Sequence, residues 1–304
     1  MGRNPVHKRR KIMRRLGKSV YRPVIIALGL ATIIAASEFG FRNMHISASA
    51  SLIKAAESGN INEVARLIQK GTDVNARNRF GYTPLMMASA YGHGDVVKIL
   101  IDNKADVNAR TNYGWTPLMM ASKHAQANAV RLLIEKGALF DKVYKANNGY
   151  TYLMAFSNGG FADYAKELVD DGADVNAKDN DGGTALLYSV EGNHPGVVGL
   201  LLKNNADADI RRRDGKTALI HAVEKGYTDI VHQLVVANAD VNARHKNNKT
   251  ALMFAAENGH VEIAKLLIEN KADVNATDNS GKSAEKWAAE KQHAGIVTLL
   301  QASK

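Results

Sequence analysis

The stretch TALMFAAENGHVEIAKLLIENKADVNATDNSGKS at residues 250–283 decides how this chain folds. It opens on Thr250, a good helix N-cap because its hydroxyl can accept an early backbone N–H that has no partner within the helix. A short apolar run follows and is broken at Gly259-His260. The segment VEIAKLLI at residues 261–268 then spaces its apolar side chains as one face of a second, amphipathic helix. Asp273-Val-Asn-Ala and Asp278-Asn-Ser-Gly are turn-forming sequences, and Ser283 begins the pattern again. The unit reads as helix, break, helix, finger-like turn.

The same unit recurs along the chain. Thr83-Pro-Leu-Met, Thr116-Pro-Leu-Met, Thr151-Tyr-Leu-Met, Thr184-Ala-Leu-Leu, Thr217-Ala-Leu-Ile and Thr250-Ala-Leu-Met follow one another at steps of 33, 35, 33, 33 and 33 residues. One step back lies Ala50, and one step forward lies Ser283. Asp-Val-Asn-Ala recurs in register at Asp73, Asp106, Asp174, Asp240 and Asp273. Gly71, Gly137 and Gly172 are placed to end second helices in a left-handed cap. Asn205 and Asn238 substitute tolerably there, while Lys104 and Lys271 should each cost about 1 kcal/mol.

With its D-x-x-G-x-T-P-L turn and cap at a 33-residue period, the chain resembles the ankyrin-repeat family. The resemblance spans about residues 46–304 in some eight units, the first and last being degenerate caps. It implies an all-α solenoid of helix-turn-helix units with β-hairpin fingers, in which stacking buries a core that no single unit can bury. The departure is at the motif histidine, where Met86, Met119, Met154, Leu187, Ile220, Met253 and Lys286 stand. Apolar packing is expected there in place of the histidine's hydrogen bonds. The two extra residues between Gly137 and Thr151 should enlarge or distort one finger.

The formal net charge of +10 is not spread evenly. Residues 1–50 hold ten Lys/Arg against Glu38 alone, which leaves residues 51–304 at +1. The repeat body, expected at residues 50–304, is therefore not read as a nucleic-acid binder. A basic segment at residues 1–22 precedes an apolar one at 23–37, whose central VIIALGLATIIAA (residues 24–36) carries no charge, and a small polar linker at 38–49. This is the order of a secretory signal. Thirteen apolar residues span about 20 Å as a helix, short of a hydrocarbon core of roughly 30 Å. Three readings fit: a cleaved signal peptide, an uncleaved anchor with the N-terminus in the cytoplasm and the body outside, and a mitochondrial-type presequence. The first makes the protein exported, periplasmic or secreted. The second gives membrane contact through residues 23–37.

Catalytic and cofactor signals are absent from the sequence. Gly17-Lys18-Ser19, Gly215-Lys216-Thr217 and Gly281-Lys282-Ser283 lack the upstream glycine of a phosphate loop, which would stand at Ile12, Ile210 and Ala276. His93, His194, His260 and His293 share one repeat position, the break between helices, so they read as structural. There is no cysteine, which removes disulfides and thiolate chemistry. No catalytic residue, metal or cofactor is expected, and the chain reads as a monomeric binding module or scaffold for a protein partner.

The resemblance implies a concave partner site lined by finger tips and first helices. Before the capping Thr or Ser stand Tyr82, Trp115, Tyr150, Gly183, Lys216, Lys249 and Lys282, and two residues earlier stand Phe80 and Tyr113. One half of the groove is thus aromatic, with Tyr91 and His124 behind it, and exposed aromatics suit hot spots. The other half carries a lysine ladder joined by Arg211, Arg212, Arg213 and Lys246, which could steer an acidic segment. The finger aromatics can equally pack on one another. A stripe formed by Met87, Met120, Tyr188, His221, Phe254 and Trp287 reads mainly as packing between repeats.

Overall fold

Thr83 shows how each unit begins. In the computed structural model, which describes residues 48–303, Thr83 is extended and its Oγ1 accepts the Met86 N–H at 3.3 Å. Thr116, Thr151, Thr184, Thr217, Thr250 and Ser283 cap their helices in the same way. Pro84 and Pro117 occupy the first helical position, where the missing N–H has no intrahelical role.

Among the described residues sixteen helices form eight pairs. They are α1 (Ala48–Glu57) with α2 (Ile61–Gln69), α3 (Pro84–Tyr91) with α4 (Gly94–Asp102), α5 (Pro117–Lys123) with α6 (Ala127–Glu135), and α7 (Tyr152–Gly159) with α8 (Ala162–Asp170). There follow α9 (Ala185–Glu191) with α10 (Pro195–Lys203), α11 (Ala218–Lys225) with α12 (Thr228–Val236), α13 (Ala251–Asn258) with α14 (Val261–Glu269), and α15 (Ala284–Glu290) with α16 (Ala294–Ala302). The helix α1 starts at Ala48, two residues ahead of the repeat register. The basic and apolar segments at 1–22 and 23–37, and nearly all of the linker, lie outside the described residues. Among the described residues no helix is long and apolar enough to cross a membrane.

The breaks and caps follow the sequence. Gly92, Gly160, Gly226 and Gly259 end first helices at φ between 75° and 78°. His93, His194 and His293 then reach back to the Glu57, Asn158 and Glu257 carbonyls at 2.9, 3.0 and 3.2 Å, so this histidine column ties one unit to its predecessor. Lys104 and Lys271 adopt the expected left-handed conformation at φ 68° and 67°.

Most of the core is one continuous stack, with a smaller cluster of Met86, Ala109 and Met120 apart from it. The leucine two positions after each cap is buried from Leu85 to Leu252, and Leu52 holds the equivalent place in the first unit. Second helices contribute Leu67, Leu100, Leu133, Leu168, Leu201, Leu234, Leu267 and Leu300. Each fully buried leucine is worth about 1.5–3 kcal/mol of apolar transfer.

Three expectations need correction. The fingers are tight turns and not hairpin ladders: Asn78 N–H bonds Tyr82 O at 3.0 Å and Thr111 N–H bonds Trp115 O at 2.9 Å. The described residues contain only isolated bridges, Lys145 with Thr151 and Arg244 with Thr250. Six-residue fingers closed by a left-handed glycine are too short to pair further. The methionines at the motif-histidine position are buried but not merely apolar. The sulfurs of Met86, Met154 and Met253 accept the N–H of Thr83, Thr151 and Thr250 at 3.4, 3.4 and 3.5 Å, completing reciprocal caps with a weak acceptor. Asp-Val-Asn-Ala is also more than a turn. Asn75, Asn108, Asn176 and Asn242 each donate an amide N–H to the carbonyl 29 residues on (3.1–3.2 Å) and accept the N–H 31 residues on (2.8 Å).

The two-residue insertion does reshape its finger. Asp141 accepts the Val143 and Tyr144 N–H groups at 2.9 and 2.6 Å, and Tyr144 donates to Gly114 O at 2.6 Å. Phe140 turns inward, edge-on to Phe156 at 5.2 Å, while Leu139 and Val143 stay exposed. No clamp asparagine stands here. Lys142 takes over the donor's place and bonds the Asp171 carbonyl.

Candidate interaction surface

The fingers and the adjoining first helices form the face on which the candidate residues stand, and the structure divides these residues by exposure. Tyr113, at a finger tip, is 51 % exposed, and Tyr91, the last residue of α3, is 44 % exposed. Phe80 is half-buried under the Arg79 guanidinium, 4.6 Å from its ring centre. Tyr82 is half-buried against Met86, Ala109 and Met120. Burial and the adjacent Tyr113 push the Tyr82 hydroxyl above its ordinary pKa. His124 is exposed at the end of α5. Tyr91 stacks near His93 and reaches Glu57 at 3.4 Å.

Trp115 and Tyr150 differ from that group. Tyr150 is only 2 % exposed, which corrects its reading as an open finger aromatic. It stacks on Trp115 at 4.8 Å and meets Tyr188 edge-on at 5.0 Å. Lys123 covers the Trp115 ring at 5.0 Å, and the Arg212 guanidinium lies 5.0 Å from the Tyr188 ring. The row is fixed at its far end: Tyr188 donates to Asp179 and Arg212 pairs with Glu191. Burial presses the Tyr150 and Tyr188 hydroxyls well above the usual tyrosine range, so both stay protonated donors. Finger aromatics therefore do pack on one another from Trp115 onward, and the open aromatic surface lies before it.

The lysine ladder is also corrected. Lys216, Lys249 and Lys282 do not project free charge, because each binds the glutamate eight residues on, at the end of its own first helix. Lys216 to Glu224 and Lys282 to Glu290 are both 2.5 Å, and Lys249 pairs with Glu257. Lys249 is buried, lying 4.5 Å from the Phe254 ring and 3.9 Å from the Trp287 ring, and Lys282 lies 4.4 Å from the same indole. A cation laid along an aromatic face with a carboxylate at its tip is already satisfied. The recurrence of Glu224, Glu257 and Glu290 at the repeat spacing is the sequence signal that would have revealed it. The first-helix stripe packs as expected, with Met120, His221 and Phe254 buried.

The stacked helix pairs, capped by Thr and tied across units by histidine and asparagine, agree with the comparison to known families. A family model described as Ankyrin repeats (3 copies) matches residues 52–145, 139–214 and 219–304. The chain belongs to the ankyrin-repeat family. Two curated relatives are the mitochondrial disaggregase of Bos taurus, 51% identical over 43 residues, and that of Homo sapiens, 50% identical over 40 residues. These matches cover 14% and 13% of this chain and 6% of each relative, so the similarity is little more than one ankyrin unit long. As an ankyrin-repeat array the protein is a protein–protein interaction module, of a family that is generally non-catalytic.

Proposed function

We propose that the array receives its partner on the open aromatic part of the finger and first-helix face, through Phe80, Tyr82, Tyr91 and Tyr113, with Trp115 and His124 at the boundary. The observation that carries this is the exposure of Tyr91 and Tyr113, whereas the aromatics from Trp115 onward are stacked and covered. Large rigid rings give contact area at small entropic cost, and exposed ones suit a partner's hot spots. Tyr150 supports the boundary of this surface through its stack on Trp115.

The full chain and a Tyr82→Ala/Tyr91→Ala/Tyr113→Ala variant, immobilised in parallel, test the assignment. Polypeptides retained by the first and lost by the second, with far-UV circular dichroism unchanged, support it. Identical retention by both overturns the site.

The basic segment followed by the uncharged residues 24–36 supports export as the setting in which this binding happens. The same segment left in place would make the protein a membrane-held scaffold with the array outside the cytoplasm. N-terminal sequencing of the mature protein separates the two. A start between residues 37 and 51 supports cleavage, and an intact Met1 in the membrane fraction supports the anchor.

A further inference from the structure

The fingers carry a charge pattern distinct from the neutralised lysines. The segments 77–82, 110–115, 141–150, 178–183, 211–216, 244–249 and 277–282 hold fourteen Lys/Arg, of which Arg212, Lys216, Lys249 and Lys282 are paired with helix glutamates; the other ten stand against five Asp/Glu, a net of +5. With those pairs neutral, the rest of residues 51–304 is at −4, so the near-neutral body concentrates its unpaired positive charge in the fingers.

Six of these cations occupy one repeat position, six residues before the capping threonine: Arg77, Arg110, Lys145, Lys178, Arg211 and Arg244. All six are exposed. Among the described residues none of them lies within ion-pairing distance of a carboxylate. They are also adjacent in space. Arg77 donates to the Arg110 carbonyl, Arg211 to the Arg244 carbonyl, and Arg244 to the Thr277 carbonyl at 3.1 Å. Arg110 lies 4.3 Å from the ring of Tyr144, the neighbour of Lys145. At the tip of each preceding finger, the Gly149 backbone approaches the Lys178 carbonyl and the Gly182 backbone approaches the Arg211 carbonyl. A carbonyl bond uses one of the five N–H donors of a guanidinium and none of its charge, so Arg77, Arg211 and Arg244 are held in place with most of the fork unspent, and Arg110 rests on the Tyr144 ring.

We propose that this column binds an extended acidic segment of a protein partner, running across the fingers. The spacing selects the ligand. Side-by-side helices stand about 8–10 Å apart, which sets the step between fingers. An extended peptide advances about 3.3–3.6 Å per residue, so a carboxylate at every third residue meets each finger in turn. A single exposed pair contributes little, but six charges of one sign in line steer and orient an oppositely charged chain. This rests on the reading of the array as a protein-binding module and names the chemistry of what it holds.

The probe is a 16-residue fluorescent peptide with glutamate at every third position and small polar residues between, titrated against the full chain. Arg77→Gln/Arg110→Gln/Lys145→Gln/Lys178→Gln/Arg211→Gln/Arg244→Gln should weaken binding at least about tenfold. A Lys216→Gln/Lys249→Gln/Lys282→Gln variant should stay within about twofold, because those charges are already neutralised. Binding should also weaken steeply as salt rises toward about 0.3 M. Should the six-fold variant not fold, the two halves, Arg77/Arg110/Lys145→Gln and Lys178/Arg211/Arg244→Gln, each lose part of the affinity. Unchanged affinity in these variants would assign binding to the basic segment at residues 1–22, which all of them retain, and overturn the proposal. So would a single-stranded oligonucleotide whose binding depends on the six while the peptide's does not. Failure here leaves the aromatic surface untouched, since that is read by partner retention in the tyrosine variant.

Discussion

Lys271 sits at φ 67°, in the left-handed region where a Cβ crowds the backbone, at the spot where Gly71, Gly137 and Gly172 end other second helices. Relief of this strain outweighs the greater unfolded-state freedom of glycine, so Lys271→Gly should raise stability by about 1 kcal/mol. The reverse applies at Gly137, at φ 87° with open space where a Cβ would go. Gly137→Ala should lower stability by about 1 kcal/mol through backbone strain alone. Urea titration of both variants checks the pair, and equal effects in the same direction would contradict the left-handed assignment. Charge can be argued at this scale as well. Desolvation acts upward on the Asp278 carboxyl but is outweighed by hydrogen bonds from Ser280 Oγ, the Lys282 and Ser280 N–H groups and the Trp287 indole, which hold it at about 2 against an ordinary 3.8. A depressed carboxylate pKa contributes stability above the unfolded value, and the contribution disappears as pH falls through the folded one. The stability difference between the protein and Asp278→Asn should therefore be full at pH near 6, shrink as pH falls from about 4 to 2, and level off below about pH 2. A difference constant over that range would show that the carboxylate charge is not what these bonds hold.

The clamp asparagines belong to the scale of elements. Asp-Val-Asn-Ala was legible in the sequence as a turn, but its partners lie 29 and 31 residues away, and only stacking brings them together. Asp209 stands where the others have asparagine, and its carboxylate accepts the Asp240 N–H at 2.9 Å without an amide to donate. Asp209→Asn should gain a bond to the Asn238 carbonyl and stabilise the protein by about 1 kcal/mol, while Asn242→Asp should lose its bond to Lys271 O and cost about as much. Thermal denaturation of the two variants tests this, and a destabilising Asp209→Asn would refute the clamp. The helices, their caps and breaks were readable from Thr, Gly and the 33-residue step. The division of the finger aromatics was not, because a left-handed glycine lies between the two positions. With Gly114 at φ 80°, Tyr113 is left outside while Trp115 turns onto Tyr150, so simple alternation along an extended strand does not apply. The lysine–glutamate pairs were hidden for a similar reason: a spacing of eight joins finger to helix end only after the cap has turned the chain.

At the scale of the whole array, stability is a sum of unit and interface contributions, so cooperativity depends on every neighbouring interface being favourable. The fourth unit is unusual in filling its share of the stack with rings: Phe156, fully buried, meets Phe140 at 5.2 Å, Tyr164 at 5.4 Å and Tyr152 at 6.2 Å. Removing the Phe156 ring should cost about 3–5 kcal/mol, concentrated at the middle of the stack. Neither half then gains enough from its neighbour to unfold with it. The chain offers a direct reading, since its two tryptophans fall on opposite sides, Trp115 in the third unit and Trp287 in the eighth. Single-tryptophan versions, made by Trp287→Phe and Trp115→Phe, should report closely matched urea midpoints once corrected for the cost of each substitution. Adding Phe156→Ala should separate them, with the half that holds Trp115 and the half that holds Trp287 unfolding at different urea concentrations. If both midpoints instead fall together by the same amount, coupling passes through the central unit without its aromatic core, and the Asn108 clamp beyond the second helices and the His194 bond at the helix breaks carry it.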